Sequence, residues 1–329
     1  MQERTHMNTA QERRRAWDGY WASGALHSCA GSFDGNYGGA IASFWRETFM
    51  HLQPGERVLD LACGNGPLGR LLLECRDDAS IGCDAVDLAT PSPRWLSEMP
   101  AAQAARLRFH GGVAAESLPF DDGRFALVTS QYGLEYTDLA RSVAELQRVL
   151  RRPGRIALLV HHAGSRPVAL AHDEITHLDW LGAEDGLLDS VARIVPLVDR
   201  AQTPQGRAAL AQDASAERQR QHFNSLQQAL SRRAEASICP DVLYEVRDAA
   251  ARLFALAGGS GSSAALEGLG RLRRHLMDSR IRLEDLCRCA LDADGVAALS
   301  QRLAPAARTA ELHESGHLMG WTLVATLPG

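Results

Sequence analysis

Residues 58–69 read Val-Leu-Asp-Leu-Ala-Cys-Gly-Asn-Gly-Pro-Leu-Gly, and no other stretch constrains the fold of this chain as tightly. An apolar, strand-like run reaches an acid, Asp60. A loop of small residues follows, and helical spacing resumes through Leu71, Leu72 and Leu73. A strand that turns directly into a helix needs glycine, which adopts positive φ freely and lets a ligand touch bare backbone. The acid narrows the ligand: a carboxylate there repels a diphosphate and suits an ammonium, directly or through water. Gly64, Gly66 and Gly69 also satisfy the Gly-x-Gly-x-x-Gly spacing of dinucleotide loops, so an NAD(P)-linked oxidoreductase remains an alternative.

The surrounding pattern extends the unit. Strand-like runs fall at about 57–61, 81–87, 106–110, 126–130 and 155–160, with helical patterns between several of them. The clearest helix spans 139–150 and stops before Pro153-Gly154. Such alternation predicts a mostly parallel sheet with helices on both faces. Residues 164–304 break the rhythm with helical spacing almost throughout, interrupted at Gly258-Gly-Ser-Gly-Ser-Ser263, which reads as a flexible connector. Two final strand-like pieces, about 307–313 and 321–326, read as a hairpin. The pattern divides the chain into an aromatic, helical lead (1–55), an alternating α/β part (56–163), a helical block (164–304) and a C-terminal hairpin (305–329).

Composition excludes several chemistries. All 35 basic residues are arginine, so no lysine is present to form a Schiff base, hold pyridoxal phosphate or serve a P-loop. A net charge of -5 disfavours a nucleic-acid partner. Mean hydropathy of -0.19 without a long apolar run argues against a membrane span. The polar start lacks a secretion signal, and seven scattered cysteines read as reduced thiols, so a cytoplasmic setting is expected. No histidine or cysteine spacing suggests a metal. His172 and His177 read as isolated surface residues, and no Gly-x-Ser-x-Gly elbow marks a hydrolase.

Residues 58–69 resemble motif I of the class I S-adenosylmethionine (SAM) dependent methyltransferases, acid-x-Gly-x-Gly-x-Gly, with Ala62 at the first glycine. Three further stretches fit the resemblance: Cys83-Asp-Ala-Val-Asp87-Leu-Ala, Glu116-Ser-Leu-Pro-Phe120 and Thr129-Ser-Gln-Tyr-Gly-Leu-Glu135-Tyr136. It implies an α/β fold with a Rossmann-like, seven-stranded, mostly parallel sheet built on a SAM-binding core (56–163), and an antiparallel last strand from the C-terminal hairpin (305–329) that completes the sheet. It implies an aromatic, helical N-terminal lid (1–55), and the helical block (164–304) as an insertion between strands 5 and 6 that covers the substrate. It implies SAM as cofactor and a small or medium-sized acceptor, methylated on oxygen, nitrogen or carbon. It implies cofactor contacts from Asp60, Ala62, Gly64, Gly66, Asp87, Leu88, Ala115, Glu116 and Gln131. Asp87 is favoured over Asp84 for the ribose, and Asp84 otherwise reads as a strand residue facing solvent.

The Phe33–Gly39 segment, with Tyr37, is expected to pack over the cofactor, with Trp21 beside it; Trp45 and Phe49 read as core. Tyr132, Glu135, His161 and His162 are the candidate catalytic residues: either imidazole could take a proton, a structural role is expected for one of the two, and Glu135 either faces substrate or opens a helix. A homo-oligomer and a non-catalytic scaffold of the same fold remain open.

Overall fold

The computed structural model describes residues 2–28 and 35–329, with side chains of 2–10 left aside. The chain forms two compact units, one of residues 1–168 and 285–329, the other of 169–284.

The first unit opens with α1 (Gln2–Ala22) and α2 (Gly39–Met50). The alternating part follows: β1 (Arg57–Leu61), α3 (Pro67–Cys75), β2 (Gly82–Asp87), the short α4 (Ala101–Ala104), β3 (Leu107–Gly111), β4 (Phe125–Gln131), α5 (Leu139–Val149) and β5 (Leu150–Val160). After the helical unit, α12 (Ala293–Leu303), β6 (Arg308–Glu314) and β7 (His317–Leu327) close the chain. The sheet order is β3-β2-β1-β4-β5-β7-β6. The first five strands are parallel, while β7 runs antiparallel to both β5 and β6. The expected fold class is therefore observed, with the helical block between the fifth and sixth strands.

The central strands are apolar on both faces because helices cover both. Val58, Cys83, Leu127 and Leu159 face Trp45 and Phe49 of α2 and Leu71 and Leu72 of α3. Leu59, Leu61, Val128 and Leu158 face Val143 and Leu146 of α5 and Val296 and Leu299 of α12. The packing of α12 here moves residues 285–304 out of the expected insertion and into the sheet unit.

The second unit contains the rest of α6 (Arg166–Leu181), α7 (Leu187–Arg200), α8 (Pro204–Leu210), α9 (Ala214–Ala236), α10 (Asp241–Ser260) and most of α11 (Ser262–Cys289). Its core brings together Leu187, Val191, Leu230, Val246, Leu253 and Leu269. Two expectations are corrected in this unit. The glycine- and serine-rich 258–263 stretch is not a flexible connector: α10 continues to Ser260, Gly261 turns the chain at φ 89°, and α11 begins at Ser262. Buried Ala257 and Ala265 flank that turn, so packing overrides the weak helix preference of the small residues.

His177, read as a surface residue, is 3% exposed. Its Nδ1 accepts from Arg233 Nε at 2.9 Å, which leaves the proton on Nε2 to donate to Ser237 Oγ at 2.8 Å. Ser237 in turn donates to Asp173 Oδ2 at 2.6 Å. This ring donates to the serine instead of taking its proton, so the trio is a structural brace and not a nucleophile with its base.

Candidate active site

The loop after β1 is built by three left-handed residues, Ala62 (φ 52°), Gly64 (φ 51°) and Gly66 (φ 76°). Gly66 caps α3 and Pro67 occupies its first turn, where a missing N–H costs nothing. A Cβ on Gly64 would lie 2.6 Å from the Trp21 ring, and one on Gly66 would lie 2.5 Å from Phe109. Both glycines are thus required by conformation and by close approach. Ala62 bears a methyl where the resemblance has glycine, at a backbone conformation that disfavours it. Its Cβ would sit 2.4 Å from a Cβ on Gly133, so glycine at 133 makes room for the alanine.

Three carboxylates meet this loop differently. Asp87, at the end of β2, is 9% exposed and lines the cavity. It accepts the Gly64 and Ala89 amides, each at 2.8 Å. Burial pushes its carboxyl up to about 6 despite those two amides. Asp60 is 1% exposed. Thr129 Oγ1 donates to its Oδ1 at 3.0 Å, while its buried Oδ2 has no protein partner. Burial raises it to about 7; the Thr129 hydroxyl pulls it down and the Asp87 charge adds to the rise.

Asp84, by contrast, does not face solvent. It is fully buried and holds Arg57 at 2.7 Å, His110 at 3.0 Å and Arg124 at 3.4 Å. Burial would raise it, yet Arg57, His110 and Arg124 together keep it below the usual carboxylate range. It is spent on that cluster and lies outside the cavity wall.

The cavity, of about 280 Å³, is lined by Ala62, Asp87, Leu88, Ala115, Glu116 and Tyr132 among the expected residues. Leu88 is half exposed on its rim, and Glu116 Oε1 also accepts the Asp138 amide at 2.9 Å. Asp60, Gly64, Gly66 and Gln131 are not among the lining residues. Gln131 Oε1 accepts from Trp45 Nε1, which fixes the amide and leaves Nε2 buried without a partner.

The opposite wall comes from α1 through Arg13, Arg14, Trp17 and Trp21. Positions 13, 16, 17, 20 and 21 are the covered face of that helix, a three-and-four spacing hidden by the polar residues between them. Trp21 thus lies on the cavity as expected, but Tyr37 does not. It is 4% exposed within the sheet-side core and stacks on His27 at 4.3 Å. Phe33, the other expected lid residue, lies outside the described residues.

The expected catalytic residues divide in the same way. Glu135 Oε1 accepts from both the His161 backbone N–H at 2.9 Å and its Nδ1 at 2.7 Å, so the Nδ1 carries the proton. His161 is 2% exposed and sits behind the wall, stacked on Tyr132 at 4.2 Å and edge-on to Tyr136 at 5.9 Å. The pair braces two cavity-lining rings and does not itself line the cavity. His162 turns away, stacking on Trp321 at 4.4 Å and accepting the Gly164 amide through Nδ1. Tyr132 lines the cavity with its ring while its hydroxyl donates to the Met319 carbonyl at 3.1 Å.

Sequence reasoning did not reach Arg13, Arg14, Asn65, Gly133 or Thr129. Only the spacing along α1 carried a signal for Arg13; Arg14 lies off that covered face and nothing in the spacing marks it. Among the described residues, no group of three or more His, Cys, Asp or Glu side chains could hold a metal ion, and no helix is long and apolar enough to cross a membrane.

A family profile described as a methyltransferase domain matches residues 58–154. A 2-phytyl-1,4-naphtoquinone methyltransferase from a Nostoc species is 32% identical over 165 residues, 47% of this chain and 64% of that protein. This chain therefore spans less than two thirds of that relative's length. The Nostoc punctiforme protein of the same name is 31% identical over 168 residues, 47% of this chain and 71% of its own. A crystal structure of the 1,6-didemethyltoxoflavin-N1-methyltransferase of Burkholderia thailandensis is 20% identical, covering 47% of this chain and 64% of that one. Its TM-score of 0.38 is too low to bear on fold or function. The glycine loop, the sheet order and this match over most of a relative's length agree: the chain belongs to the class I SAM-dependent methyltransferases.

Proposed function

We propose that this chain transfers a methyl group from SAM to a small or medium-sized acceptor, on oxygen, nitrogen or carbon. One observation carries the reading. Asp87 presents a carboxylate, fixed by two backbone amides, to a cavity beside a loop under which Asp60 keeps a buried, unpartnered oxygen. An adenosyl amino acid fits those groups: two ribose hydroxyls for Asp87, and an α-ammonium for Asp60 Oδ2, directly or through water. A diphosphate would meet two carboxylates.

When bound, SAM supplies an electrophilic methyl. The residues here hold, orient and exclude water. Leu88, Ala115 and Glu116 would border the adenine, Gly64 and Gly66 would let the loop close on Trp21 and Phe109 and so hold its shape beside the ligand, and Gln131 Nε2 offers a spare donor near the strand end. Trp17, Trp21, Tyr132 and Tyr136 turn the cavity aromatic. Aromatic faces attract cations by about 0.5–2 kcal/mol, which suits a sulfonium. They suit a flat acceptor too, and the naphthoquinone in the relatives' names is of that kind. Holding nucleophile and methyl in line contributes roughly 7–11 kcal/mol of barrier lowering. The Glu135–His161 pair serves by fixing Tyr132 and Tyr136.

Calorimetry with SAM, S-adenosylhomocysteine (SAH) and NAD tests this reading. SAM and SAH should bind and NAD should not. NAD binding, or failure of SAH to bind, contradicts it. Methyl transfer to any acceptor would eliminate the scaffold alternative.

A further inference from the structure

Asn65 lies between the two glycines of the loop, 1% exposed, and its amide is fully used. Its Nδ2 donates to the carbonyls of Trp21 at 2.9 Å and Ala25 at 2.6 Å, at and just beyond the end of α1. Its Oδ1 accepts the Ser92 amide at 2.6 Å, in the segment after β2, and its own carbonyl accepts Trp95 Nε1 at 2.7 Å. Two neighbouring ties join the same pieces: Asp18 of α1 accepts the Thr90 amide at 2.7 Å, and Arg94 donates to the Ala22 carbonyl at 2.9 Å. Two carbonyls on one side and an N–H on the other permit a single orientation of the amide.

We propose that Asn65 is a positioning residue that couples cofactor binding to docking of α1. The inference rests on the methyl-transfer reading of the cavity. The loop that Asn65 belongs to holds Asp87 through the Gly64 amide, and the helix it grips places Trp17 and Trp21 on the cavity. A ligand that touches both walls binds the docked arrangement more tightly than the undocked one. It therefore favours docking, and docking favours it by the same factor. Asn65 is the side chain common to both.

Asn65→Asp tests this with little change of shape, because it points an oxygen at two carbonyls and keeps the acceptor for Ser92. Hydrogen exchange over residues 11–22 is followed with and without SAH, alongside exchange in β4 and β5 as a control on the fold. In the unaltered protein SAH should slow exchange in α1. In the variant the sheet should stay protected, α1 should exchange fast whether or not SAH is present, and SAH affinity should fall roughly 5- to 150-fold, the usual range of such coupling. Asp18→Asn, which keeps an acceptor for the Thr90 amide and removes the charge shared with Arg14 at 3.8 Å, should leave affinity and α1 protection near those of the unaltered protein, whereas Asp18→Ala, which also breaks the Thr90 tie, should lower both and decides the matter if Asn65→Asp does not fold. Unchanged SAH affinity in a folded variant, or α1 exchange indifferent to SAH in the unaltered protein, overturns the coupling. Failure of the unaltered protein to bind SAH would instead overturn the methyl-transfer reading.

Discussion

Replacing Asp87 with alanine should cost most of the affinity for SAH. A hydrogen bond to a charged group contributes about 1.5–3 kcal/mol, so loss of even one ribose contact weakens binding roughly 10- to 150-fold. The variant also frees the Gly64 and Ala89 amides and loosens the loop, so the upper part of that range is expected. The titration of Asp87 gives the same prediction a pH signature. Its carboxyl lies at about 6 in the free protein, raised by burial, and the ionised form is the one that accepts two hydroxyls. Affinity should therefore be full above that value and decline as pH falls through it. Adenosine, which has no ammonium, isolates this limb from any titration of Asp60. Calorimetry across that range, with Asp87→Ala as the control lacking the limb, is the check. Equal affinity in the variant would place the ribose elsewhere.

Asp60→Asn should move stability and binding in opposite directions. The folded-state value of about 7 against an ordinary 3.8 means that the folded chain binds the proton more tightly than the unfolded one. Stability from this group is therefore complete below 3.8 and is lost as pH rises through about 7. At about pH 8 the unpaired carboxylate costs on the order of 4 kcal/mol. Asparagine keeps the Thr129 bond and removes the charge, but its N–H is left unpartnered at a cost of about 1–3 kcal/mol. A net gain of about 1–3 kcal/mol remains, seen as a higher melting temperature at about pH 8 that vanishes toward about pH 5. SAM affinity should fall at least roughly tenfold because the α-ammonium loses its countercharge, while adenosine affinity should hold. A variant that is less stable on the alkaline side, or that binds SAM normally, would show that Asp60 is a structural acid.

What the sequence revealed follows from how local each determinant is. Strand β1, the glycine turn and α3 were legible because φ requirements and apolar spacing act within a few residues. The antiparallel end was legible because β6 and β7 are joined by a tight turn at Ser315-Gly316, both at positive φ. Which aromatic faces the cavity is set by long-range packing. Trp21 lies against Gly64 where α1 is tied down by Asn65, Asp18 and Arg94, while Tyr37 is drawn into the core beside His27. Nothing local distinguishes the two rings. Asp84 and Asp87 lie three apart on one strand, and their fates depend on distant partners: Arg57 of β1 and Arg124, just before β4, hold Asp84, while the Gly64 amide holds Asp87. His161 was identified as a site residue by its strand end, yet the Tyr132 ring that sets it back from the cavity depends on a left-handed turn at Tyr132.

The most direct test is a crystal of the unaltered protein soaked with SAH. Ribose hydroxyls should lie on Asp87 and the amino group beneath the Gly64 turn, toward Asp60. A crevice that stays empty, or one that takes a dinucleotide with its diphosphate against Gly64 and Gly66, would contradict the account.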